Sequence, residues 1–314
     1  MNVFNKYVWL VNTLRRKRGA TLEELRNEWY DSDLNVDHTE LSPRTLNRWK
    51  NDVEDIFGII IECNPAKRYQ YYIANGDALD EDQTISWMLH TITISNVIEE
   101  FKGEKDKIIL DRVPSGEEYL IPLLIAIKSR NQVEITYHRF QEEYPREPKK
   151  VNPLCVRLFD KRWYLVVQIP ESPSEYRTLA LDRIVDFRQT EVKFDYPQDF
   201  NAAEYFADVY GISVGYEKYP PCKVQLKINK EQRPYTRALP LHPSQAETET
   251  NENYSMFEYY LCPTPDFARA ILPFAKNIEV IEPLALRRKV LGMALDILKT
   301  YKNKENTNPN EEME

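Results

Sequence analysis

The hydrophobic period of this chain changes along its length, and that change sets the fold class. Through residue 75 apolar side chains recur at helical spacing, whereas from Val133 to Phe194 the pattern changes to short strands, the first of which, Val133 to Phe140, alternates with the period of two that a half-buried strand requires. Phe4, Tyr7, Val8, Val11 and Leu14 mark one face of a first helix, stopped by the basic run Arg15 to Arg18 and Gly19. Thr21 and Glu24 form a capping box that opens a second helix with Leu22, Leu25 and Trp29 on one stripe. Ser42 as N-cap and Pro43 at the first helical position open a third, in which Leu46, Trp49, Val53 and Ile56 form the stripe and Gly58 closes the helix. Ile59 to Glu62 and Arg68 to Ile73 then read as two strands around an Asn64-Pro65-Ala66-Lys67 turn. Three helices followed by a hairpin is the order of a winged helix-turn-helix.

The third helix sharpens that expectation. Arg44, Asn47, Arg48 and Asn51 lie at i, i+3, i+4 and i+7, opposite the apolar stripe. Arginine and asparagine carry the paired donors and acceptors that recognise guanine and adenine edges in the major groove of double-stranded DNA. Thr45 and Lys50 on the same helix, with Lys67 and Arg68 at the wing tip, complete the candidate DNA-binding set. Residues 1–73 hold 11 Lys and Arg against 11 Asp and Glu, so DNA binding depends on segregation of charge rather than on its sum. The bases gather at the end of helix one, on helix three and at the wing; the acids Glu23, Glu24, Glu28, Asp31, Asp33, Asp37 and Glu40 occupy helix two and the following loop. If that loop folded over helix three, the module would instead suit a protein-interaction adaptor that binds no DNA.

Composition narrows the chemistry. The whole chain sums 42 Lys and Arg against 50 Asp and Glu, a net charge of −8, which excludes a polybasic nucleic-acid coat. Eight glycines in 314 residues leave little material for phosphate-cradling loops. The four cysteines stand 92, 67 and 40 positions apart, and the four histidines are equally dispersed, so neither a metal site nor a cofactor is expected. No nucleophile elbow or paired-carboxylate motif appears, so no catalytic residue is assigned; a nucleic-acid-processing enzyme or accessory subunit stays an alternative from another class. The longest strongly apolar run, Tyr119 to Ile127, is short of a membrane span, and no signal peptide is evident, which predicts a cytoplasmic protein.

Between the two periods, Asp80 to Arg130 reads as a helical stretch. Val133 to Phe140, Val151 to Phe159, Arg162 to Ile169, Tyr176 to Leu181 and Ile184 to Phe194 read as five strands, with short gaps at Asp160-Lys161 and Glu171 to Glu175. Five short strands in about sixty residues predict a small barrel. Strands mixed with two helices are expected from Pro220 to Tyr301.

At Arg162-Trp163-Tyr164-Leu165-Val166-Val167 the chain resembles the WYL domain, named for the tripeptide that stands here at residues 163 to 165. Val151-Asn152-Pro153-Leu154 resembles the strand before that motif, and Tyr176-Arg177-Thr178-Leu179 with Leu181-Asp182-Arg183-Ile184 resembles the closing arginine-containing motif. Cys155 stands where a glycine is frequent, and Ala180 where many members carry a further basic residue. Ile278 to Pro283 and the helix from Leu284 to Tyr301 resemble the end of the C-terminal extension common in such proteins. The resemblance implies an α+β multidomain protein: a winged helix-turn-helix (1–75), a helical linker (76–131), an Sm-like, SH3-type WYL β-barrel that senses a ligand (132–197), a connector (198–219), an α/β C-terminal extension for dimerisation or regulation (220–301) and a disordered tail (302–314). The function it implies is that of a bacterial transcription regulator, a homodimer that reads an operator and responds to a nucleotide or short nucleic acid.

Strand alternation nominates the effector residues. Arg177, Leu179, Leu181 and Arg183 share one face if the segment stays extended, so two guanidiniums could clamp one anion. Tyr137, His138 and Arg139 end the first strand with groups suited to stacking on a base and pairing with phosphate. Trp163 and Tyr164 point to opposite faces; Trp163 is assigned to the core, and Tyr164, whose hydroxyl suits a pocket wall, joins the effector set.

Overall fold

The computed structural model describes residues 3–32, 34–76, 85, 87–89, 91–94, 107, 116–215 and 218–305. The chain divides into two compact units, residues 1–111 and 112–314.

In the first unit, α1 (Val3–Lys17), α2 (Leu22–Tyr30) and α3 (Pro43–Phe57) precede the hairpin β1 (Ile61–Asn64) and β2 (Gln70–Ile73). Local chemistry sets the helix ends. The Thr21 hydroxyl accepts from the Glu24 amide while the Glu24 carboxylate takes the Thr21 N–H at 2.7 Å. Ser42 Oγ accepts from the Thr45 amide at 3.1 Å, and Gly58 stops α3 in the left-handed region, φ 64°. One tryptophan from each helix meets in the core: Trp9, Trp29 and Trp49 pack edge to face with centroids 4.9, 5.0 and 6.3 Å apart. Leu46, Trp49 and Val53 are buried as expected, but the fourth stripe position is Phe57 and not Ile56, which is 41% exposed. At 3.6 residues per turn, eleven residues from Leu46 return almost to its azimuth and ten do not. Phe4 is likewise 41% exposed, at the first turn of α1, in edge contact with Phe57.

The wing strands begin two residues later than the sequence suggests. Pro65–Lys67 form a 3-10 turn, and Arg68 and Tyr69 both adopt left-handed backbone, φ 53° and 57°, which no strand accommodates. A bridge between Ala20 and Tyr71 ties the hairpin to the turn after α1. Of the expected helical linker, Trp87 to Leu89 and Thr91 to Ile94 are helical; residues 77–84, 95–106 and 108–115 lie outside the described residues.

The second unit opens with α4 (Leu120–Ser129), followed by β3 (Asn131–Tyr137), β4 (Lys149–Phe159), β5 (Arg162–Ile169), β6 (Ser172–Ala180) and β7 (Ile184–Lys193). These strands form one antiparallel sheet of order β6-β5-β4-β3-β7. No residue of β6 pairs with β7, so hydrogen bonding does not close the expected barrel; both remain edge strands. The β4–β5 connection is the two-residue turn Asp160-Lys161, both at positive φ, whereas the next hairpin turns at Pro170-Glu171, earlier than the expected 171–175 gap, because Ser172 already pairs with Ile169. α4, expected in the linker, packs Leu123 and Ala126 into the same core as Val133, Ile135, Leu165, Val167 and Leu181. Its apolar face finds its partner on the strands, each large buried side chain contributing about 1.5–3 kcal/mol.

Trp163, Leu165 and Val167 belong to that core, while Tyr164, Val166 and Gln168 face the other way. Leu154, Val166 and Phe194 lie on this second side beneath Tyr176, Tyr196, Phe200, Tyr205 and Phe206, the last three from the connector and its short helix α5 (Ala202–Ala207). Then come β8 (Cys222–Asn229), α6 (Arg233–Ala238), β9 (Ala246–Thr250), β10 (Tyr254–Leu261), α7 (Pro265–Ile271), β11 (Ile278–Glu282) and α8 (Leu284–Glu305): three α-helices among the described residues, where two were expected. Their sheet has order β11-β8-β10-β9. Phe159, Tyr210 and Phe267, with centroids 5.5 and 5.7 Å apart, link β4 to α7. The helix expected to end at Tyr301 continues to Glu305; residues 306–314 of the expected disordered tail lie outside the described residues.

Candidate nucleic-acid interface and ligand site

On α3, Arg44, Asn47, Arg48 and Asn51 are all exposed, on the face opposite buried Leu46, Trp49, Val53 and Phe57. Among the described residues their side chains make no hydrogen bond or ion pair, and the same holds for exposed Lys67 and Arg68 at the wing tip. Thr45 and Lys50 sit on the flanks of the helix and are half-buried. The Thr45 hydroxyl is 2.9 Å from Ser42 Oγ at the cap, and Lys50 Nζ lies 5.4 Å from the Tyr71 ring on the wing. The Tyr7 hydroxyl on α1 donates to Asp52 Oδ2 at 2.6 Å, a brace that fixes the roll of α3. Burial and that hydrogen bond push the Tyr7 hydroxyl up to about 12, with the charge of Arg48 acting in the opposite sense.

Among the described residues, the acids of α2 and the loop after it form no ion pair with α3. Glu28 pairs with Arg16 and with Lys17, the latter at 2.8 Å, and Arg26 holds Glu40 at 3.2 Å and the Leu41 carbonyl at 3.1 Å. The two guanidinium and ammonium contacts hold the Glu28 carboxyl below the usual carboxylate range. Part of the basic run ending α1 is therefore engaged in bracing α2.

In the second unit the expected arginine pair is not brought together by one extended segment. Leu181–Arg183 is a 3-10 turn between β6 and β7, which breaks the alternation that put Arg177 and Arg183 on one face. Arg177 forks onto Glu175, Nε at 2.8 Å and Nη2 at 2.7 Å. Arg183 lies across Phe140 with its guanidinium carbon 3.8 Å from the ring centroid, stands 5.3 Å from the Tyr137 ring, and donates from Nε to the His138 carbonyl at 3.2 Å. The Tyr137 hydroxyl accepts from the Ala180 amide at 3.1 Å, so this side chain ties β3 to the end of β6. His138 Nε2 is 2.9 Å from the Glu142 carbonyl, and half-buried Arg139 stands near the Glu142 carboxylate, which Arg146 grips. Tyr164 is buried on the second side of the sheet, where desolvation raises its hydroxyl; Trp163 is the more exposed of the two.

Sequence reasoning missed three members of this cluster. Arg162, at the start of β5, reaches Asp182 on the 3-10 turn with Nη2 and Oδ2 2.5 Å apart, and its guanidinium lies 5.9 Å from Phe140, itself 73% exposed. Arg162 Nε and Asp182 Oδ1 are buried without a hydrogen-bond partner, polar capacity that a folded protein seldom leaves unmatched. Phe140, Arg162 and Asp182 are twenty or more residues apart or separated by a turn, so no local spacing signals them. The quoted motifs contain Arg162 and Asp182, which was the one available clue.

Residues 118–189 match the WYL domain, and residues 220–298 match the WCX domain. The chain is therefore a WYL-domain-containing protein, and the match begins at residue 118, so α4 falls inside it. No curated protein matches the chain. Two solved structures are similar: the proteasome accessory factor B/C (PafBC) of Arthrobacter aurescens, at 16% identity over 91% of this chain and 45% of that one with a TM-score of 0.32, and a CRISPR Cas-related protein, at 11% identity over 60% and 53% with a TM-score of 0.36. The chain thus spans about half the length of each. Among the described residues no cluster of His, Cys, Asp or Glu could hold a metal, and no helix is long and apolar enough to cross a membrane.

Proposed function

We propose that this protein is a ligand-responsive, DNA-binding transcription regulator. The observation that carries the proposal is the α3 face: four exposed arginines and asparagines without hydrogen-bond or ion-pair partners among the described residues, braced from behind by Tyr7 and Asp52 and flanked by a wing whose tip presents Lys67 and Arg68. In this reading Arg44, Asn47, Arg48 and Asn51 meet base edges, while Thr45, Lys50, Lys67 and Arg68 serve the backbone contacts that set register. The WYL match supports a ligand-sensing role for the second unit. The cluster of Tyr137, Phe140, Arg162, Asp182 and Arg183 offers an exposed ring stacked on a guanidinium, a combination suited to a nucleotide base and its phosphate. His138 and Arg139 border the proposed site, whereas Tyr164 is buried on the other face of the sheet and Arg177 is held by Glu175. A homodimer reading two half-sites follows from the same proposal.

The test is operator selection followed by titration. Arg48→Ala or Asn47→Ala is expected to cost about 1–3 kcal/mol on the selected operator and to blur its sequence preference, whereas Lys67→Ala or Arg68→Ala weakens all DNA alike and flattens the salt dependence. Equal losses on operator and random DNA for all four variants would refute base reading by α3.

A further inference from the structure

The ring of Phe140 takes the place on Arg183 that a stacked base would need. The Arg183 guanidinium carbon stands 3.8 Å over its centroid and that of Arg162 stands 5.9 Å from it, while Phe140 has no part in the apolar core of the sheet. With 73% of its surface exposed, the residue is held there by cation–π attraction and not by burial. Its loop, residues 138–148, joins β3 to β4 and is closed at the neck, where the Arg146 amide donates to the Tyr137 carbonyl at 3.1 Å and the His138 amide to the Arg183 carbonyl at 3.0 Å. Among the described residues no hydrogen bond involves Phe140 itself.

With the ring in place, the polar groups beside it are incompletely matched. Arg183 donates from Nε to the His138 carbonyl, but its two Nη nitrogens make no hydrogen bond or ion pair among the described residues. Arg162 Nε and Asp182 Oδ1 are buried without partners. Among the described residues the one ion pair made by either guanidinium is that of Arg162 with Asp182, which leaves a surplus of charge and of donors that an anion completes. The Nη edge of Arg183 lies in the plane of the guanidinium, outside the stack, so a phosphate meets it without moving the ring. A base needs the face of the guanidinium, and the ring covers that face.

We propose that Phe140 is a stand-in for the base and the residue that sets the ligand class: a planar ring carrying an anionic group displaces it, whereas a bare anion leaves it in place. The proposal rests on the arginine cluster being the nucleotide site. A base restores the stack that Phe140 gives up, so the exchange costs little, and the attached phosphate gains the Nη donors. Displacement of Phe140 therefore signals a nucleotide and not free phosphate.

The experiment is calorimetric titration of the full chain, and of its Phe140→Ala and Phe140→Trp variants, with the four ribonucleoside 5′-monophosphates and with inorganic phosphate. An exposed cation–π contact is equivalent to a factor of about two to five in binding. Phe140→Ala is expected to bind the best-bound monophosphate about threefold more tightly, and Phe140→Trp, whose larger ring stacks better, about twofold less tightly; phosphate affinity should move by less than about 1.5-fold in both. The fluorescence of Phe140→Trp, less that of the wild type with its five tryptophans, should shift to the red with the monophosphate as the indole enters water, and stay unchanged with phosphate. If Phe140→Ala binds the monophosphate equally or more weakly than the wild type, or the indole emission shifts to the blue, the ring is a platform for the base and the proposal is wrong. If neither monophosphate nor phosphate binds the wild type or Phe140→Ala, the nucleotide reading of the cluster fails and the proposal falls with it.

Discussion

Gly116 controls the turn that carries half of the arginine cluster, and replacing it by alanine is the sharpest available perturbation. Its φ is +110°, and a Cβ built there would stand 2.5 Å from the Asp182 amide nitrogen and 2.6 Å from the Leu181 carbonyl carbon. Both obstacles are backbone, so no side-chain rotation relieves them. The left-handed backbone costs an L-residue about 1–2 kcal/mol, and forcing apart two packed segments adds about 1–3. The expected destabilisation is therefore about 2–5 kcal/mol. For a unit of roughly 200 residues, each kcal/mol moves the midpoint by about 2–4 °C, which predicts a drop of roughly 4–20 °C in the melt of residues 112–314. Because the displaced turn is Leu181–Arg183, the Arg162–Asp182 pair and the Arg183–Phe140 stack should loosen together, and nucleotide binding should fail even below the melting range. Gly292→Ala is the matched control: it sits inside α8, an added Cβ meets nothing within 4 Å, and the change should stabilise by up to about 1 kcal/mol. Circular dichroism melts of the three proteins decide the matter. If Gly116→Ala melts within about 2 °C of wild type, or moves in the same direction as Gly292→Ala, the steric reasoning is wrong.

Two further outcomes follow from the first and second units separately. Ser42→Ala removes the acceptor for the Thr45 amide at the start of α3 and should lower stability of the first unit by about 1 kcal/mol, with Ser42→Asp largely restoring it; urea titration checks both, and an unchanged midpoint for the alanine variant would count against the cap. Glu247 is held down to about 2 by the fork from Arg237, at 2.8 and 2.7 Å, so its contribution is complete above the unfolded value of 4.5 and is lost as pH falls toward 2. With Arg237 about half exposed, screening reduces that contribution to about 1 kcal/mol; the stability gap between wild type and Glu247→Gln should narrow from pH 6 to pH 3, and a constant gap would rule the linkage out.

The parts of this protein that the sequence determined by itself are those whose chemistry closes within about four residues. Thr21 with Glu24, Ser42 with Thr45, and Gly58 with Glu54 are such pairs, and they place α2 and α3 almost to the residue. Burial on one face likewise made the strand period of β3 legible, while β4 and β5, buried on both faces, were marked by their β-branched and aromatic composition. What only the tertiary structure decided depends on partners far along the chain. Alternation alone put Arg177 and Arg183 on one face, but the 3-10 turn at Leu181–Arg183 separated them, and Glu175 rather than a ligand took Arg177. Arg162 found Asp182 across twenty residues, Phe140 found Arg183 across forty-three, and Tyr176 acquired its aromatic neighbours only when the connector folded back over the sheet. α4, apolar all along its length, carried no signal of which side it would bury until the strands supplied a surface for Leu123 and Ala126. Hydrogen bonds at caps and turns are set by neighbours in sequence, so they can be read there; which side chains converge on a ligand is set by strand register and chain return, and those are fixed by packing of the whole unit.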